Sequence, residues 1–569
     1  MNTLRYLIQA AFVIVAILLA AAGQYLHTFY YIDLLALAFF IIALVVWIVA
    51  LASSRVSIDA KFDEATYASG QTRPISKPLV ASAVALALLT LFFSSGNQFS
   101  LDNLIAWTGS VVAILYIFWE PGTVDWPARL REHLAHSPAM LTRAALLAAI
   151  LLIGAVFYFY NFDDPSQANS HHDAKVNAVN AVLKSNDAPI FFDYVPGGEP
   201  LEIYLAAWCA KVFNLNVDPL LLEHITMLSG WLLISLTFLL ARELFGTDSA
   251  LIAAFLIAIS KWNVTMARMG LQFVFAPIFI ALVMLFLVRG FKHERRNDFL
   301  LAGFFLGAGV YGYSAFRIAP FLVLTLVVLW FLRVLFQPER AQIGRSVVNS
   351  ILMFIVALVV AMPLLRFATE QPKQIATPIV YLIGNDATNV GNPVAPFASN
   401  LVGAATMFNW TGDANRLNAV SNDPALDYVT GALFLLGVVF ALYRTIRHRE
   451  SIYVILLLGL TTLVLPSALS IAHPLENPSI VRAAGAIPFV FIIAALPIAW
   501  LLQFIKTSNA TLGRIVVMVV LLFLLVVSIR ANFLRYYHDY APTFRQESWN
   551  ESIVDFSNVH YLQIENHKS

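Results

Sequence analysis

The sequence predicts an all-α polytopic membrane protein, on three observations. The chain is 60% hydrophobic and only 12% charged, with a mean hydropathy of +0.76. A soluble protein of 569 residues needs a more charged surface than that. Its apolar runs are also long enough to cross about 30 Å of hydrocarbon as helices. Finally, the basic residues between those runs fall mostly on one side when the N-terminus is placed inside.

Taken in order, the runs lie near 5 to 22, 32 to 52, 78 to 95, 103 to 119, 142 to 160, 219 to 241, 271 to 289, 299 to 314, 319 to 337, 348 to 366, 430 to 444, 452 to 471, 484 to 504 and 515 to 530. A shorter one at 249 to 260 brings the total to about fifteen. The first run, behind Arg5, could be read as a signal peptide; an uncleaved span leaves the same topology. The cytoplasmic clusters are Arg55, Lys61, Arg73 and Lys77; Arg129, Arg131 and Arg143; Arg289, Lys292, Arg295 and Arg296; Arg333, Arg340 and Arg345; Arg444, Arg447 and Arg449; and Lys506 with Arg514. The alternation requires 249 to 260 to count as a crossing. A single cysteine, Cys209, excludes an internal disulfide framework and a cysteine-based zinc site.

This topology gives a four-span module over 1–120, a cytoplasmic linker over 121–141 and a transmembrane core over 142–530. Long outer loops follow at 161–218 and 367–429, with an outer-face tail over 531–569. Loops of that length tend to carry function. In the first, "HDAKVNAVNAVLKSN" places apolar residues at helical spacing behind Ser170, and "EPLEIYLAAWCAKVF" repeats the pattern behind "PGG". Both segments are expected to be amphipathic helices at the membrane surface.

Some cations break the charge rule. Lys261, Arg268, Arg317, Arg366 and Arg482 sit at the outer ends of spans. Several could converge on an anion held at the membrane, since a guanidinium offers a planar fork of donors to phosphate oxygens; each could instead snorkel separately to headgroups. Arg268 and Arg482 gain from a neighbouring glycine and helix end, where backbone can approach a ligand. Tyr311 and Tyr313, in "YGYS", are either an aromatic belt or phosphate donors.

The first loop also carries Asp163, Asp164, Asp173, Asp187, Asp193, Glu199 and Glu202. Asp173 opens a helix, whose positive end keeps a carboxylate ionised, and follows His171 and His172. Three roles are open to it: a general base toward an acceptor hydroxyl, a metal ligand with one of the histidines and Glu199, or a helix cap. Glu199 also starts a helix, where it is either a dipole partner or, if buried, functional.

These segments resemble a known family. "HHDAKVNAV", "GGEPLEIYLAAW", "SKWNVTMARMGLQ", "GVYGYSAFRIAP", "MFNWTGDANRLNAVSNDPALD" and "NPSIVRAAGAIP" are similar, in order, to segments of GT-C superfamily integral membrane glycosyltransferases. Within that superfamily they look most like the dolichyl-phosphate-mannose protein mannosyltransferase and aminoarabinose transferase group. The resemblance covers roughly 142 to 569 and leaves the first four spans outside it. It implies a GT-C-like helical bundle with extra N-terminal spans, and a polyprenyl-phosphate sugar as donor. The sugar, hexosyl or pentosyl, is expected to pass with inversion to a protein, lipid or glycan acceptor on the outer face. Nucleic acid is not an expected partner. By the same resemblance Asp173 is the catalytic aspartate, supported by His171, His172 and Glu199, while Arg268, Arg317, Arg482, Tyr311 and Tyr313 hold the donor phosphate. Relatives show Asp-Glu where this chain has Asp173 followed by Ala174, so one acid is missing or supplied by Glu199 or a histidine.

In mechanistic terms, cations stabilise charge building on the departing phosphate while Asp173 deprotonates the acceptor on the opposite face of the sugar. Trp410, Asp413 and Arg416, with Asn409 and Asn418, have side chains suited to a sugar or acceptor, or to a packed lid. No cofactor or protein-held metal is required, although a divalent ion is compatible. The alternatives are an inactive or structural member of the same fold and, with less support from spans this clean, a transporter.

Overall fold

The computed structural model describes residues 2–54, 58, 76–121, 138–161, 170–185, 188–335, 343–384, 392–420, 422–507 and 511–542. Several features expected from the sequence lie outside them: Arg55, Lys61, Arg73, Arg129, Arg131, Arg340, Asp163, Asp164 and Asp187, most of the 121–141 linker, and the tail beyond 542. The side chains of Ser170 and His171 lie outside them as well.

The described residues are helical, apart from turns and one isolated bridge between Gln98 and Pro189. The helices are α1 (Asn2–Tyr30), α2 (Asp33–Ser53), α3 (Lys77–Phe93), α4 (Leu101–Phe118), α5 (Pro138–Phe159), α6 (Ser170–Ser185) and α7 (Leu201–Phe213). They continue as α8 (Pro219–Ala258), α9 (Lys261–Arg268), α10 (Phe275–His293), α11 (Arg296–Gly309), α12 (Ala319–Leu335), α13 (Ile343–Glu370), α14 (Pro372–Ile383) and α15 (Val394–Thr406). The last four are α16 (Tyr428–His448), α17 (Ser451–Ala468), α18 (Ile487–Thr507) and α19 (Thr511–Leu534).

Twelve of the described helical segments are long and apolar enough to span a membrane. The other three expected spans are the shorter α3, the shorter α11 and the second arm of α8. That second arm exists because α8 breaks at Gly246, whose φ of 80° and ψ of 178° are not helical. A positive φ of this kind is readily adopted only by glycine. Beyond the break the chain turns back, since Ile234 and Ala258 both lie within 4 Å of the Cβ position of Gly154 on α5. The 249 to 260 segment therefore runs antiparallel to the first arm, as the charge alternation requires. Asp218 caps the first arm by accepting from the Leu221 amide at 2.9 Å, with Pro219 in the first turn.

At the centre stands α18, packed against α8, α16 and α17, with 94% of its apolar window buried. An all-round hydrophobic helix belongs in such a position. Around it α5 and α10 pack on α8, and α11 joins α10 to α13. The first four helices form two hairpins with different neighbours: α1 and α2 pack on α16, whereas α3 and α4 pack on α13.

Both long loops lie at one end of the bundle. Residues expected to begin the tail instead prolong α19 and then form a short π-helix, Arg535–Tyr540, the wider turn often found at functional positions.

Candidate functional site

The first long loop folds as two helices, as its periodicity predicts. On α6 one face buries His172, Lys175, Ala178 and Val179, while Asp173 and Asn177 are exposed. That spacing of three and four residues is one side of a helix. The buried lysine is a residue the sequence reading missed. Its signal was its place in an apolar stripe, where a solvated lysine does not belong.

Lys175 Nζ donates to Glu202 Oε2 on α7 and to Gln272 Oε1 ahead of α10. The side chains of Lys175 and Glu202 are 3% and 0% exposed. Burial raises the Glu202 carboxyl above its ordinary value, and Lys175 opposes the shift. Gln272 Nε2 donates to the Gly197 carbonyl at 3.2 Å. Gly197 has a φ of +66°, and a Cβ there would run into that amide, so a glycine is needed where "PGGEP" enters α7.

Two residues on, Glu199 is buried and accepts from Arg317 at 3.1 Å. Burial again pushes its carboxyl up, with Arg317 working against the shift. One oxygen each of Glu199 and Glu202 has no hydrogen-bond partner among the described residues. Arg317 also donates to the Ile375 carbonyl of α14 at 2.8 Å. The buried Tyr313 hydroxyl feels both the Glu199 carboxylate and the Arg482 guanidinium. Arg482 in turn donates to Ser470 Oγ at 2.9 Å and to Glu476. Glu476 also accepts from Tyr381 of α14. A polar cluster thus gathers around α14, which bonds Arg317 through the Ile375 carbonyl and, through Tyr381, the Glu476 that pairs with Arg482.

Asp173 lies on α6 two residues before Lys175. It is exposed and has no hydrogen-bond or ion-pair partner among the described residues. Its neighbour His172 turns inward, where Nε2 meets the Met269 carbonyl at 2.7 Å. His172 therefore faces the bundle while Asp173, the next residue along α6, faces outward. Among the described residues no three His, Cys, Asp or Glu side chains are grouped to hold a metal ion. Ala174 packs against the core; the buried acids shown beside α6 are Glu202, bonded to Lys175, and Glu223, which meets His172 around Gly270.

The other expected site residues have different surroundings. Arg268 is buried, and its guanidinium donates to the carbonyls of Tyr158, Tyr160 and Asn161 at 2.8, 2.9 and 3.1 Å. It thereby satisfies the open C-terminal end of α5, with Tyr536 and Tyr537 against its faces. Tyr311 donates to the Val360 carbonyl at 3.0 Å, beside the proline of α13. Pro363 lacks the N–H that would bond Val359; Trp107 Nε1 reaches the Val359 and Val360 carbonyls at 3.2 and 3.1 Å instead. Arg268 and Tyr311 are therefore bonded to backbone carbonyls of the bundle.

In the second long loop, the Trp410 ring stacks on His27 of α1 with centroids 4.0 Å apart. Arg416 is exposed. Asp413 organises the loop: its carboxylate accepts from Asn415 N at 2.9 Å, Asn418 Nδ2 at 2.9 Å and Ile480 N at 3.1 Å. Burial pushes this carboxyl up to about 6, with the bond to Asn415 the strongest opposing influence. Through Ile480 the loop is held two residues from Arg482. Nearby, Asp423 accepts from Lys261 and, at 2.8 Å, from Arg535.

Residues 196–367 match the family model described as dolichyl-phosphate-mannose-protein mannosyltransferase. Glu199, Arg268, Tyr311, Tyr313 and Arg317 fall within the match; Asp173 and Arg482 do not. No curated protein matches the chain in sequence. Among solved structures it is similar to the archaeal oligosaccharyltransferase AglB from Archaeoglobus fulgidus, in complex with an inhibitory peptide and a dolichol-phosphate. The identity is 15% and the TM-score 0.47, over 72% of this chain and 56% of that one. It is similar also to ArnT from Cupriavidus metallidurans bound to undecaprenyl phosphate, at 14% identity and a TM-score of 0.43, over 73% and 76% of the two chains. The chain thus spans about half the length of the archaeal enzyme.

Proposed function

We propose that this protein, whose residues 196–367 match the mannosyltransferase family model, is a GT-C-type membrane glycosyltransferase with a polyprenyl-phosphate sugar donor. The sugar passes with inversion to a hydroxyl or amine acceptor on the outer face. The observation that carries this reading is that Arg317 and Arg482, two cations from distant segments, both bond to partners that meet on α14, Arg317 directly at the Ile375 carbonyl and Arg482 through Glu476, which Tyr381 also bonds. Each guanidinium has five N–H donors, and its hydrogen bonds to described residues use two of its nitrogens.

In the proposed reaction Arg317, Arg482 and Tyr313 take the donor phosphate. Their positive charge and hydroxyl stabilise the negative charge that grows as the sugar–phosphate bond breaks. Asp173, exposed in the first turn of α6, takes the acceptor proton as the new glycosidic bond forms. Glu199 supports the site by holding Arg317. Arg268 has both terminal nitrogens turned to the carbonyls at the end of α5 and serves the frame of the site. The reaction as written requires no metal or other cofactor.

The test compares sugar transfer from polyprenyl phosphate donors by the wild-type protein and by Asp173→Asn at matched expression. Removing a general base lowers turnover by about 10²- to 10⁴-fold. Undiminished transfer by the variant refutes the role of Asp173, and no transfer by the wild type with any such donor refutes the activity.

A further inference from the structure

The first four helices lie outside the family match and contribute no residue to the cluster, yet the tips of both hairpins hold the long loops. At the turn between α3 and α4, Phe99 N donates to the Ala188 carbonyl at 2.7 Å and Ile190 N donates to the Asn97 carbonyl at 3.2 Å. The Asn97 side chain bonds Phe191 in both directions, Nδ2 to the carbonyl at 2.8 Å and Oδ1 from the amide at 2.9 Å. Phe192 N then donates to the Gly198 carbonyl at 2.9 Å, directly before Glu199. At the end of α1, Gln24 Nε2 donates to the Asn409 carbonyl and its Oε1 accepts from Asn409 Nδ2 at 2.9 Å. His27 bonds the Trp410 carbonyl at 3.0 Å through Nε2 and Asp33 at 2.7 Å through Nδ1.

Each tip thus grips one long loop a few residues ahead of a buried carboxylate, Glu199 in one loop and Asp413 in the other. A carboxamide that pairs with the backbone of one residue in both directions, as Asn97 does, or with one residue's backbone and side chain together, as Gln24 does, fixes register as well as position. Packing alone needs no such pairing. A rigid frame of this kind holds site residues within the narrow tolerance that transfer chemistry demands.

We infer that the two N-terminal hairpins are positioning clamps for the two long loops, with Asn97 setting the loop that carries Glu199 and Gln24 setting the loop that carries Asp413. The inference rests on the proposed activity for its catalytic consequence, but the clamp itself is testable without it.

Asn97 has a φ of 57°, so Asn97→Gly keeps its backbone conformation while removing both side-chain bonds. Gln24→Leu removes the second clamp. Nitroxide labels placed on full-length Tyr194→Cys or Arg416→Cys protein, with Cys209→Ser, report the motion of each loop. Asn97→Gly should at least double the mobile fraction of the spectrum at 194 and leave 416 unchanged; Gln24→Leu should do the reverse. In unlabelled protein each variant should lower the turnover of sugar transfer, with Asn97→Asp, which keeps the acceptor for the Phe191 amide, retaining more than Asn97→Gly. An unchanged label at 194 in Asn97→Gly overturns the clamp, as does equal loosening of both loops by either variant. A mobile loop with wild-type turnover overturns the positioning role. Absence of transfer by the wild type refutes the proposed activity instead, and the label spectra then decide the clamp by themselves.

Discussion

Replacing Lys175 with methionine should loosen α6 far more than a change from one helix-forming residue to another suggests. Lys175 and Glu202 are both almost fully withdrawn from solvent, and one Glu202 oxygen already has no partner. Taking away the ammonium leaves a buried carboxylate with no counter-charge and removes the donor to Gln272. Breaking a buried pair in this way costs about 3–5 kcal/mol. At about 1.4 kcal/mol per factor of ten, the opening equilibrium of α6 rises by roughly two to three and a half orders of magnitude. Amide hydrogen exchange over residues 175–184 reads that quantity directly.

Two controls sharpen the result. In Lys175→Met with Glu202→Gln the stranded charge is gone, so exchange should return to within about tenfold of wild type, a coupling of at least about 2 kcal/mol. The penalty in the single variant should also shrink at low pH. Burial holds the folded pKa of Glu202 above its unfolded value, so the cost of its charge is present above the folded pKa and relieved as pH falls through it. Exchange in the single variant within threefold of wild type, or a double variant no better than the single, would show that the pair is not the buried interaction described.

Two further predictions concern other parts of the frame. The folded Asp413 carboxyl sits near 6 against an ordinary 3.8, so the folded loop binds the extra proton between those values; its stability falls as pH rises through that window and levels off above it. Tryptic cleavage at Arg416, corrected for the enzyme's own pH response, should therefore be several-fold faster at pH 7.5 than at pH 5, and Asp413→Asn should flatten that ratio. Trp107→Phe removes the indole donor to the Val359 carbonyl freed by Pro363 and to its neighbour Val360 and should cost about 1–2 kcal/mol in thermal unfolding. Pro363→Ala restores the helical amide, so the same tryptophan change should cost less in that background; an equal cost would refute the account of the kink.

Much of the fold was legible because membrane solvent makes it so. Hydrocarbon forces every backbone group into helices, so apolar length alone outlines the spans, and the need for alternation identified 249 to 260 as a separate arm. Periodicity also located both helices of the first long loop, since burial of one face writes a three-to-four repeat into the sequence. Partners across the chain were not legible. Arg268 and Arg317 look alike in sequence, each a lone cation at a span end, yet one is bonded to the carbonyls ending α5 and the other is paired with Glu199. Trp410 has the composition of a sugar platform, and its stacking partner in the structure is a histidine nearly four hundred residues earlier in the chain.

The sequence by itself thus determined the spans, the two loop helices and the short list of charged residues that do not belong in a membrane, because each follows from local composition and spacing. Only the tertiary structure decided which of those charges meet. A buried ion pair or a carboxamide gripping a distant backbone depends on segments brought together from far apart, and local spacing carries no record of that meeting.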